Sequence, residues 1–203
     1  MKSFFSAATL VVFLPAIALG LTDWGTTKID ARVSVQAPAQ LVDVDIKKAA
    51  AISSAPDATK REAIEKSKTT KYFLAKSTGY IYGLLRVDGG AYGMPESVAA
   101  NPKELENFYD GYIKILARED RGEVISSKQF TISGMAGRDS KHTGVHVVSG
   151  KKVIKYNRTL LVGNVCYTMQ FTSLDPLDSV GVSGQVERTR FYNSIVIRPK
   201  STN

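Results

Sequence analysis

Residues 124–172 read VISSKQFTISGMAGRDSKHTGVHVVSGKKVIKYNRTLLVGNVCYTMQFT. A run from Val124 to Ile132 is rich in β-branched and aromatic residues and stops at the tight connection Gly134-Met135-Ala136-Gly137. Arg138 to Val148 predicts a second strand, and Ser149-Gly150 turns it into a third over 152–162. Gly163-Asn164 then leads into Val165–Thr172, where Val165, Tyr167, Met169 and Phe171 alternate with their neighbours. Four strands joined by such short turns form an antiparallel meander.

Upstream, Asn101-Pro102-Lys103-Glu104 supplies an N-cap, a proline at the first helical position and an acid at the third. Leu105, Phe108, Tyr109, Tyr112, Ile113 and Leu116 follow at three- and four-residue spacing, which predicts a helix over about 102–118 with one apolar stripe. Residues 70–76 and 79–87 read as paired strands around the turn Ser77-Thr78-Gly79, and 88–101 as a glycine-rich loop. Ile29, Ala31, Val33 and Val35 alternate with Asp30, Arg32 and Ser34, predicting a half-buried strand over 28–36 ended near Pro38. Val42, Val44 and Ile46 alternate more weakly. At the other end Ser183 begins a helix through about Tyr192, and Ser194–Ile197 reads as a closing strand. The fold class expected is α+β: a central antiparallel sheet flanked by helices.

Length and composition bound the rest. The chain has 203 residues, 43% of them hydrophobic and 23% charged, which is ordinary globular composition. One cysteine and two histidines exclude a disulfide framework and every multi-cysteine zinc or iron–sulfur scheme. Met1-Lys2 is followed by an apolar run broken by Pro15 and ending Ala18-Leu19-Gly20, the pattern of a secretory signal peptide over 1–20 cut after about Gly20. An uncleaved anchor is the other reading of that run. The expectation is one exported domain over 21–203, secreted or periplasmic. The formal charge is +8, of which Lys2 accounts for one. Much of the excess lies in a polar stretch at 47–71 carrying Lys47, Lys48, Lys60, Arg61, Lys66, Lys68 and Lys71 against Asp57, Glu62 and Glu65, read as an insertion containing a short helix.

The order of elements and several of their residues resemble the PsbP-like superfamily, which includes the extrinsic photosystem II protein and the Ran-binding Mog proteins. The resemblance is carried by Ala31-Arg32-Val33-Ser34-Val35-Gln36-Ala37-Pro38, by the aromatic helix from Leu105 to Leu116, and by Ile132-Ser133-Gly134-Met135-Ala136-Gly137-Arg138-Asp139. Leu160-Leu161-Val162-Gly163-Asn164-Val165-Cys166-Tyr167 and Phe191-Tyr192-Asn193-Ser194-Ile195 complete it, over about 28–198. It implies an α/β/α sandwich. Its members are more often binding or assembly factors than enzymes, and it supplies no shared catalytic residue. The 47–71 stretch departs from the pattern.

The chemical candidates are few. His142 and His146 are four apart, but along a strand that separates them by about 13 Å, too far for one metal ion. Ser149-Gly150-Lys151-Lys152 is the only S-x-x-K spacing and falls in a predicted turn, and no G-x-S-x-G is present. Cys166 lies mid-strand, where a packed thiol is expected. No catalytic residue, metal site or cofactor is therefore expected. Tyr80, Tyr82 and Tyr92 flank the glycine-rich loop and stand as candidate binding residues. Arg138 and Asp139 stand at a turn meeting the sheet edge, and Lys60 and Arg61 lie in the basic stretch. The function expected is a non-enzymatic binding or assembly factor of the cell envelope with a protein partner. The alternative is adhesion of 47–71 to anionic lipid or polymer, and an enzyme with an unrecognised site is a third reading. Nucleic acid is not expected. Asn157-Arg158-Thr159 is a glycosylation sequon, relevant only in a eukaryotic source.

Overall fold

A computed structural model describes residues 24–45, 47–48, 57–145, 150–175 and 184–199. The signal-like segment, His146 and Ser149 lie outside the described residues. Ten strands appear in chain order: β1 (Gly25–Lys28), β2 (Val33–Ala37), β3 (Val42–Asp43), β4 (Thr70–Lys76), β5 (Tyr80–Asp88), β6 (Val124–Ile132), β7 (Met135–Val145), β8 (Lys152–Val162), β9 (Val165–Ser173) and β10 (Val196–Ile197). Three α-helices accompany them among the described residues: α1 (Asp57–Lys66), α2 (Pro102–Glu119) and α3 (Gln185–Asn193). Seven strands form one antiparallel sheet in the order β3-β4-β5-β9-β8-β7-β6, and β1-β2-β10 form a second, smaller sheet.

The meander is present as β6 to β9, each strand paired with the next. Its first turn is only Ser133-Gly134, both with positive φ, as a two-residue hairpin of right-handed twist requires. β7 therefore begins at Met135, earlier than the sequence suggests. The Asn101 cap is also present: its side chain accepts the Lys103 and Glu104 N–H groups, and its amide donates to Glu104 in return.

The helix-flanked α/β/α sandwich is corrected. The chain is mostly β, and one face of the large sheet is covered chiefly by another sheet. On that face Val33, Val35 and Ala37 of β2 and Phe191 at the end of α3 pack with Tyr82, Leu84, Tyr167, Met169 and Phe171. The opposite face takes the α2 stripe of Leu105, Tyr109, Tyr112, Ile113 and Leu116 against Val87, Leu161 and Cys166. The physical reason is that α3 is short and buries only Phe191 and Tyr192, so it has no stripe with which to cover a face. The 28–36 strand is corrected too. Asp30 accepts the N–H groups of Arg32 and Val33 on its carboxylate, which bends the chain between β1 and β2 into a hairpin.

Candidate binding surface

The residues singled out in the sequence do not converge. Tyr80 opens β5 and Tyr92 lies beyond its other end, so about 26 Å of strand separates them. Tyr80 is half-buried and stacks on Phe171 with ring centroids 5.0 Å apart. Gly184 makes this possible: its φ is +76°, in the left-handed region, and a Cβ there would meet the Tyr80 ring at 2.5 Å. Tyr82 is 1% exposed and meets Trp24, Phe171 and Phe191 edge to face at 5.8, 5.4 and 5.2 Å. It is core, not surface. Tyr92 packs towards the α2 side and shares a 2.8 Å hydrogen bond with Thr69.

Arg138 and Asp139 are neighbours within β7, so their side chains leave opposite faces of the sheet. Arg138 turns towards α2 and donates to Glu106 at 3.1 Å. Asp139 accepts two hydrogen bonds from Arg158, at 2.7 and 2.8 Å. The Arg158 guanidinium also lies over the rings of Phe130 and Tyr192 and donates to Asn193, tying β8 to the end of α3. Lys60 and Arg61 fall on α1. Lys60 pairs with Asp57 and Lys68 with Glu65 within the basic stretch, and Lys71 pairs with Asp43 of β3. An open hollow of about 330 Å3 nearby is lined by Asp43, Asp45, Lys47 and Lys71 together with uncharged residues, a mixed rather than cationic surface.

Sequence reasoning missed a polar cluster under the end of α2. His142 is fully buried, and its Nε2 meets the Asp120 carboxylate at 2.7 Å. Asn157 donates to its Nδ1 at 3.1 Å, which assigns the Nε2–H to the bond with Asp120. Lys155 donates to the other Asp120 oxygen. Burial pushes the Asp120 carboxyl up, but the His142 hydrogen bond and the charge and hydrogen bond of Lys155 outweigh it and hold the group below the ordinary carboxylate value. Both imidazole nitrogens are thus engaged inside the fold. The cluster pins the helix end to β7 and β8. Asn157 is 2% exposed in mid-sheet, so the folded sequon offers no accessible acceptor. Cys166 is buried as expected, and that burial pushes its thiol up to about 12.

Among the described residues, the surface left open is an edge. β3 ends the large sheet on one side with two residues, whereas β6 ends it on the other with nine, all but Phe130 and Ile132 exposed. The outward backbone groups of such a strand are available to another chain. No family model matches the chain, and no curated protein matches it in sequence.

Proposed function

We propose that the protein is an exported, non-enzymatic binding or assembly factor of the cell envelope that holds a protein partner. The observation that carries the proposal is the nine-residue open edge of β6, a surface suited to another polypeptide. His142 and Cys166, the side chains with the most obvious chemistry, are committed to the interior. The signal-like segment at 1–20 supplies the address, and the PsbP-like resemblance points to binding rather than catalysis. The pairing of Lys60 with Asp57 and the mixed charge of the neighbouring hollow weigh against adhesion through the basic stretch.

The test is a crosslinking pulldown from envelope extract with the intact chain and with a Lys60→Gln/Arg61→Gln/Lys68→Gln variant. Substitution is preferred to deleting 47–71, which would remove Thr70 and Lys71 from β4. One recurrent protein captured by both, at low and high salt, supports the proposal. Capture of no protein overturns it. Capture lost in the variant and with added salt replaces it by electrostatic adhesion.

A further inference from the structure

The register of the large sheet puts charges of alternating sign on one row. Arg158 of β8 stands opposite Asp139 of β7, and Asp139 stands opposite Lys128 of β6. Lys128 is the last rung, is exposed, and forms no ion pair among the described residues. Opposite charges directly across a strand pair attract and like charges repel, so the next rung is a place for an acid. Two residues along on the same face is Phe130, half-buried beneath the Arg158 guanidinium. The position opposite it favours an apolar side chain.

We infer that the β6 edge takes up an extended segment of a partner protein as an eighth strand, with an acidic residue facing Lys128 and an apolar one facing Phe130. This rests on the proposed role as a protein-binding factor and names the recognition chemistry. A second copy of this chain does not meet the requirement. Antiparallel two-fold pairing of β6 with itself keeps faces matched, and the residues sharing the Lys128 face are Ser126, Phe130 and Ile132, none acidic. A lysine in mid-edge also guards a sheet against indiscriminate pairing, as does the irregular register between Val124 and Ser126. The same lysine that rejects neutral and basic strands selects an acidic one.

The test uses the intact chain and two synthetic nine-residue peptides of alternating threonine and valine, one with glutamate at its centre and one with lysine. Binding is read by fluorescence anisotropy, and the site by hydrogen exchange of the β6 amides. The glutamate peptide is expected to slow exchange across 124–132 and to bind about three- to tenfold more tightly than the lysine peptide. Lys128→Glu, which sets a like charge opposite Asp139 and lowers the melting temperature slightly, reverses that order in the folded chain. The inference is overturned if neither peptide binds, if protection falls elsewhere, or if the preference survives Lys128→Glu. Failure here with a partner still captured from the envelope removes the edge and leaves the binding role. Protection of β6 with no envelope partner does the opposite.

Discussion

Asp120 and His142 meet at 2.7 Å, the first closing α2 and the second buried in β7. The Asp120 carbonyl also accepts the Val145 N–H at 3.0 Å, so backbone and side chain dock together. One helix end is therefore fastened to the strand that carries β6 on its far side.

Removing that fastening destabilises the fold. His142→Ala leaves a buried cavity and strips the Asp120 carboxylate of a donor, a loss expected to cost about 2–4 kcal/mol. Urea unfolding of the two single variants and of the double variant with Asp120→Asn measures it. The double variant should lose less than the sum of the singles, because the two groups act on each other.

Acid weakens the protein through the same cluster. The folded carboxyl of Asp120 lies below its ordinary value, and so does that of Asp30, where burial pushes up but hydrogen bonds from Tyr167, Arg86 and two backbone N–H groups outweigh it. Each contribution is present above the unfolded carboxylate value of about 3.9 and is lost as pH falls through the folded one. Unfolding midpoints should hold steady above about pH 5 and drop below pH 4. Asp120→Asn should be less stable at neutral pH and show a shallower fall in acid.

Cys166 is predicted to be silent in the native protein. Its thiol, pushed up to about 12 by burial, offers no accessible thiolate at pH 8. An aromatic disulfide reagent should report no free thiol until guanidinium is added, and then one.

Arg158 holds Asp139, Asn193 and two rings with one planar group. Lysine cannot reproduce the fork or the stacking. Arg158→Lys is expected to cost about 1–2 kcal/mol and Arg158→Ala about 2–3 kcal/mol in denaturant unfolding.

The meander and the capped helix were legible because turn residues and spacing are local signals. Gly163-Asn164 and Asn101-Pro102 mark their elements without help from the rest of the chain, whereas the sequence places the turn at Ser133-Gly134 too late, over 134–137. The 28–36 run was misread because its alternation continues through Asp30, whose side chain takes two N–H groups and bends the backbone. Alternation places Tyr82 on a face but does not say that Trp24 and Phe191, from opposite ends of the chain, will cover it. The same alternation does separate Arg138 from Asp139. The Asp120–His142 contact and the charge row ending at Lys128 depend on strand register, which long-range pairing sets.

The most direct test is site-resolved photocrosslinking in cells that make the protein, with the reactive group placed in turn at Gln129 on β6 and at Arg61 on α1. One recurrent protein adduct from position 129 that persists at high salt is the expected result. Adducts from position 61 alone, or none from either position, would contradict it.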